Sequence, residues 1–220
     1  VEALARWDHP VLGSLGADLL FAAAERADLG LAVSAHIHRV ALAAGAAWPP
    51  SCAALDLSLN ITAADIARPG FAAELLVAAA DARFPAERLV VEVTETMLVA
   101  DLAAAATALE ALRVAGVRVA IDDFGTGYAS FAYLRALPLD RLKVDRSLVR
   151  GVDRSQRARA VLRGIIAMAD ALRLSVVAEG VESAAERDCL AAERCGWYQG
   201  FLCAGALDTP ALARLMEAGE

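Results

Sequence analysis

Short runs of β-branched and leucine residues, each ending near an acidic or amide side chain, alternate along the chain with longer alanine-rich stretches. The nearly continuous apolar runs at 55–60, 89–94, 117–122, 142–145, 176–179 and 198–202 predict strands covered on both faces, as in a parallel sheet. Residues 2–5 read as the tail of one more strand. Leu102, Ala106, Leu109 and Leu112 recur at helical spacing, as do Val161, Leu162, Ile165, Ile166, Ala169 and Leu172, and these predict covering helices. Stretches 18–29, 33–44, 71–83, 184–194 and 210–218 complete the helical set, with Pro49-Pro50 and Pro69-Gly70 as punctuation. The alternation is that of βα units, no linker divides it, and 220 residues suit one α/β barrel. Seven strand ends are visible where a closed parallel barrel needs eight. The expectation is therefore a modified TIM (β/α)8 barrel, a single domain over 1–220, whose first strand lies upstream of Val1.

Composition narrows the function classes. A hydrophobic share of 58% and a mean hydropathy of +0.48 exclude disorder, although much of that share is alanine. Every apolar run is interrupted before the roughly 18 residues that a membrane span needs, so no membrane contact by this domain is expected. A net charge of −7 and a pI near 5.0 argue against binding duplex nucleic acid or anionic lipid; a small anionic ligand held through metal ions remains compatible. Cys52, Cys189, Cys195 and Cys203 form no C-x-x-C pair and read as free thiols of a reducing, cytoplasmic compartment. The start, Val1 to Trp7, has neither an initiator Met nor signal-peptide character, and the chain is expected to be a piece of a longer protein.

The chemistry gathers where the strands end. Carboxyl ends of parallel strands open onto one face, which is where α/β folds place their sites. Read in order, those ends are Glu2, Asn60, Glu92, Asp122 with Asp123, Lys143 with Asp145, Glu179 and Gln199. Any one of them alone is readily a helix cap or a solvated turn residue; the series in register is harder to dismiss. Lys143 is the only lysine in the chain and Asn60 the only asparagine, and both fall at strand ends. Five carboxylates converging on one mouth would repel one another by several kcal/mol, since unit charges 4 Å apart interact by roughly 4 kcal/mol at an effective dielectric of 20. Hard divalent cations offset that repulsion, and an all-oxygen donor set favours Mg²⁺ or Mn²⁺ over zinc. Adjacent Asp122 and Asp123 suit two ions, one carboxylate bridging them, as in two-metal phosphoryl displacement. The glycines of Asp123-Phe124-Gly125-Thr126-Gly127-Tyr128 suit a tight loop over a site but make no dinucleotide fingerprint. His36 and His38, two apart on a helix, face different sides and read as packing or surface residues. His9, in the loop after the first strand end, is a lesser candidate for the mouth.

The order of these motifs resembles the EAL family of bacterial cyclic di-GMP phosphodiesterases over essentially the whole chain. The residues that carry the likeness are Glu2-Ala3-Leu4-Ala5-Arg6-Trp7 with His9-Pro10, Leu57-Ser58-Leu59-Asn60, Val91-Glu92-Val93-Thr94-Glu95, Ile121 to Tyr128, Leu142-Lys143-Val144-Asp145-Arg146-Ser147, Ala178-Glu179-Gly180-Val181-Glu182 and Gln199-Gly200-Phe201. The resemblance implies two Mg²⁺ or Mn²⁺ ions and the opening of cyclic di-GMP to linear pGpG. It implies that Glu2, Asn60, Glu92 and Asp122 hold one ion and that Asp122, Asp123 and Glu179 hold the other. Lys143 would position or help deprotonate the attacking water, with Asp145 beside it, and Gln199 would order water or substrate. Glu95 would anchor the 122–130 loop, and Arg6 would reach the ligand's phosphate or guanine. A homodimer, and upstream sensory or GGDEF domains in the full-length protein, follow from the same likeness. The family's first strand with its Gln-Pro element is absent, and Gly205-Ala206 replaces a usual arginine or proline.

Two other readings compete. A catalytically silent cyclic di-GMP receptor normally goes with lost metal ligands, and none is lost here. An enolase-like barrel abstracting a proton would want a further basic residue on another strand, which the single lysine disfavours.

Overall fold

The computed structural model describes residues 1–94, 101–126 and 131–218. In chain order its elements are β1 (Arg6–His9), β2 (Gly13–Gly16), α1 (Ala17–Arg26), α2 (Gly30–Ala46), β3 (Leu57–Asn60), α3 (Ala63–Ala67), α4 (Phe71–Ala82) and β4 (Leu89–Thr94). There follow α5 (Leu102–Val114), β5 (Arg118–Phe124), α6 (Phe131–Ala136), β6 (Arg141–Val144), α7 (Arg146–Val149), α8 (Gln156–Ala171), β7 (Ser175–Ala178), α9 (Ala184–Ala192), β8 (Trp197–Tyr198) and α10 (Thr209–Ala218). The fold is mixed α/β: β3 to β8 are hydrogen-bonded in chain order, and the pairs from β5 to β8 are parallel. Apart from the expected strand tail at 2–5, each helix and strand predicted within residues 1–220 is present within a few residues of its expected bounds. Residues 198–202 are the least faithful, because pairing stops at Tyr198.

Two compact units divide the chain. The first comprises Val1–Val91, Ala111–Val117 and Ala206–Glu220. Its core is Leu42, Leu57, Leu59, Leu75, Ala79 and Phe84 with the start of β4, all under a tenth exposed. Burying each such leucine stabilises by about 1.5–3 kcal/mol. The expected strand tail at 2–5 is reduced to a parallel bridge of Glu2 to Ser58, in which Ser58 N–H donates to Val1 O at 2.8 Å and Ala3 N–H to Ser58 O at 2.9 Å. The residues after it are not a loop, as the sequence suggested, but the antiparallel hairpin β1–β2. Its turn is held by His9, whose Nδ1 accepts from the N–H groups of Val11 and Leu12, both at 3.1 Å, while the ring meets Trp7 edge-on. His9 thus serves the turn.

The second unit comprises Glu92–Glu110 and Arg118–Gly205. Ile121, Leu142, Val144, Leu162, Ile166, Ala178 and Leu190 form its core. Between β5 and β6 the register slips: Ile121 pairs with Leu142 and Phe124 with Val144, so β5 advances three residues while β6 advances two. This bulge falls on Asp122 and Asp123, the latter in a left-handed conformation at φ +54°.

Candidate active site at the strand ends

In the second unit the pleat sets the geometry. Side chains along a strand alternate faces, so with Ile121 opposite Leu142, the next residues Asp122 and Lys143 share the other face. Lys143 in turn pairs with Val177, which puts Glu179, two residues on, on that face as well. The result is a buried ammonium among three carboxylates. Lys143 Nζ lies 2.6 Å from Glu92 Oε2, 3.0 Å from Asp122 Oδ1 and 2.9 Å from Glu179 Oε1. The lysine side chain is 4% exposed and that of Glu92 3%, so these attractions act in a medium of low dielectric, where they are strong and costly to break.

The bulge adds a fourth carboxylate. Adjacent residues of a regular strand point to opposite faces, but an extra residue re-aims one of them. Carboxylate oxygens of Asp122, Asp123 and Glu179 accordingly lie within 4.8 Å of one another. Asp123 N–H donates to Asp122 Oδ1 at 3.0 Å, which fixes the pair. Holding a non-glycine residue at positive φ is costly, and such strain gathers at functional positions. The turn that follows needs glycine: Gly125 has φ +104°, and a Cβ there would stand 2.2 Å from Leu148 Cδ1.

The first unit carries its own polar pair. Asn60 Nδ2 donates to Glu2 Oε1 at 2.8 Å, so its amide oxygen faces away from the carboxylate. The two predicted residues that come from distant parts of the sequence are thus brought together at the end of β3.

Other candidates have different placements. Asp145 caps α7, its carboxylate accepting the Ser147 N–H at 2.8 Å. Burial pushes that carboxyl up, but the Ser147 hydroxyl and the backbone N–H groups of Ser147 and Arg146, with the Arg146 charge, outweigh it and hold the group below the usual range. Gln199 directly follows β8; its N–H donates to Ala178 O at 2.8 Å and its carbonyl accepts from Val181 N–H at 3.0 Å, tying it beside the β7 end that carries Glu179. Arg6 is exposed on β1 with Nη1 on the Ala5 carbonyl. Glu95 lies outside the described residues, as does 127–130 of the glycine loop.

One supporting residue escaped the sequence reading. Glu186, mostly buried, accepts from the N–H groups of Gly151, Glu182 and Ser183 and so holds the loop after Glu179. Burial pushes its carboxyl up, while those three N–H donors and the Ser183 hydroxyl pull it further down, and the net shift is downward. The signal was available: Ser183 and Glu186 form a capping box, S-x-x-E, at the start of α9.

The donor set can be tested against a divalent cation. Glu92, Asp122, Asp123 and Glu179 carry four negative charges against one ammonium, and every prospective ligand atom among them is a carboxylate oxygen. That excess and that chemistry fit a hard cation and not zinc.

Comparison with known proteins places the chain in one family. The family model of the EAL domain matches residues 1–206. The cyclic di-GMP phosphodiesterase NbdA of Pseudomonas aeruginosa is 38% identical over 219 residues, which cover 99% of this chain and 28% of NbdA. The chain thus spans under a third of that relative. Among solved structures, the PaMucR phosphodiesterase in complex with c-di-GMP superposes with a TM-score of 0.83 at 33% identity, covering 92% of this chain and 82% of that one. A manganese and cyclic di-GMP complex of Klebsiella pneumoniae BlrP1 at pH 9.0 gives 0.77 at 30% identity, covering 85% of this chain and 47% of that one.

Proposed function

We propose, as this chain belongs to the EAL domain family, that it hydrolyses cyclic di-GMP to linear pGpG with the help of two Mg²⁺ or Mn²⁺ ions. Water adds to one phosphorus, the P–O3′ bond breaks, and the oxygen that leaves takes a proton to become the free 3′-hydroxyl. The observation that carries this reading is the Lys143 ammonium seated among Glu92, Asp122 and Glu179, with the Asp123 carboxylate beside those of Asp122 and Glu179. Asp122, Asp123 and Glu179 are assigned to one ion; Glu2, Asn60, Glu92 and Asp122 are assigned to the other. Bound divalent ions polarise phosphoryl oxygens and lower the pKa of water toward about 7.

The chain's own residues do the rest. Lys143, whose compact charge balances the carboxylates around it, is assigned to positioning the attacking water or helping to deprotonate it. Gln199 orders water or substrate at the end of β8, and Arg6 contacts a phosphate or guanine of the ligand. Glu95 anchors the 122–130 loop in this reading, and Asp145 supports Lys143 by fixing the start of α7. The manganese and cyclic di-GMP complex of BlrP1 supports the choice of ion and substrate. Dimerisation, attachment to sensory or GGDEF domains and a cytoplasmic location belong to the same proposal; among the described residues no helix is long and apolar enough to cross a membrane.

The test is incubation with cyclic di-GMP and Mg²⁺ or Mn²⁺, with pGpG measured by chromatography. Turnover is expected in the native protein and none in Asp122→Asn, whereas Cys189→Ala, on α9 with its thiol on the Val152 carbonyl, keeps the native rate. Binding without turnover in the native protein would replace this reading with that of a silent receptor.

A further inference from the structure

Helix α2 does more than cover β3. Its buried positions are Ser34, His38, Leu42 and Gly45, one face of the helix at spacings of four, four and three. At one end Gly45 lies against β3's first residue, since a Cβ on it would stand 3.1 Å from Leu57 Cδ2. Seven residues back, about 10 Å along a helix, His38 Nε2 stands 3.1 Å from the carbonyl oxygen of Asn60, β3's last residue. Three residues of strand also span about 10 Å, so the helix grips β3 at both ends.

The contact has one sensible polarity. A carbonyl only accepts, so Nε2 carries the proton and donates it. His38 is 4% exposed and its ring lies 6.4 Å from that of Phe71, which keeps water from substituting for the bond. One helical turn earlier, Ser34 Oγ donates to Asp65 Oδ2 at 2.6 Å, and the same oxygen accepts from Thr62 N–H at 3.0 Å. The short link from β3 to α3 is thereby held at Asn60 by His38 and at Thr62, through Asp65, by Ser34.

We propose that His38 is a positioning residue for the site: its hydrogen bond to the Asn60 carbonyl fixes the end of β3, so that the Asn60 amide meets Glu2 and turns its oxygen outward as a ligand. The ligand role rests on the function proposed above, whereas the fixing of Asn60 does not. Outer partners of metal ligands commonly change ion affinity by 10–100-fold.

Asn60 is the sole asparagine of this chain, so selective ¹⁵N-asparagine labelling reports one side-chain NH₂ pair and one backbone amide. In the metal-free native protein that NH₂ pair is expected to be shifted and protected from exchange by its bond to Glu2. His38→Leu, which keeps apolar volume and removes the donor, should collapse the shift and protection, and weaken Mg²⁺ affinity read from the Asn60 signals about tenfold. His38→Gln, whose amide nitrogen reaches the same carbonyl, should restore both, which separates the hydrogen bond from mere packing. Unchanged Asn60 signals in folded His38→Leu, or equal loss in both variants, would overturn the proposal. A native Asn60 resonance that ignores Mg²⁺ would instead strike at the ligand assignment, with the metal-free spectra still deciding the role of His38.

Discussion

Two groups of polar side chains, one in each unit, are held by different means. At the ends of β4, β5, β6 and β7 the groups hold one another: a nearly buried ammonium bonds three carboxylates directly. At the end of β3 the exposed Asn60 amide donates to the half-buried Glu2 carboxylate, and α2 holds the strand end from behind, through the backbone. A charge cluster in low dielectric is stiff but intolerant of losing any member, while a solvent-facing pair is tolerant but needs a scaffold to fix it.

Lys143→Met breaks the first centre most severely. Removing one partner of a buried ion pair typically costs 3–5 kcal/mol, and chemical denaturation should show a loss of about that size, partly recovered when Mg²⁺ or Mn²⁺ is added. Gly125→Ala comes next: its φ of +104° and the close Leu148 side chain should cost about 1–3 kcal/mol, with the melting temperature falling accordingly.

The pH dependence of stability sharpens the contrast through Glu186. Its folded pKa is depressed below the ordinary value of 4.5, so its stabilisation is complete above that value and is lost as the pH falls through the folded pKa. Glu186→Gln should flatten that acid limb in a denaturation series and leave the neutral and alkaline side with the same slope. The smallest effect belongs to Glu2→Gln. Losing a charge from an exposed hydrogen bond should change folding stability by about 1 kcal/mol or less, yet ion affinity measured by calorimetry should fall much more than stability does.

Much of this was legible in the order of residues. Alternating apolar runs marked the strands because buried parallel strands tolerate few polar residues, and the polar residue closing each run marked the candidate site. The hairpin β1–β2 was missed because its residues carry no alternation of apolar and polar side chains; a histidine accepting two backbone N–H groups holds its turn, which no periodicity reveals. His38, with His36, read as a packing or surface residue because a histidine on a helix says nothing about the carbonyl it will meet. Asp145 was legible as a polar strand end, but its use as a helix cap depends on the turn that follows it.

By itself the sequence determined the βα order, the family and which polar residues stand near the strand ends, because each of these follows from local pattern and from which side-chain types the chain spends sparingly. Only the tertiary structure decided which charges touch, that a one-residue bulge turns Asp123 toward Asp122 and Glu179, and that α2 fastens β3 at both ends. Those outcomes depend on strand register and on helix placement over a strand, which arise from packing among residues far apart in the chain.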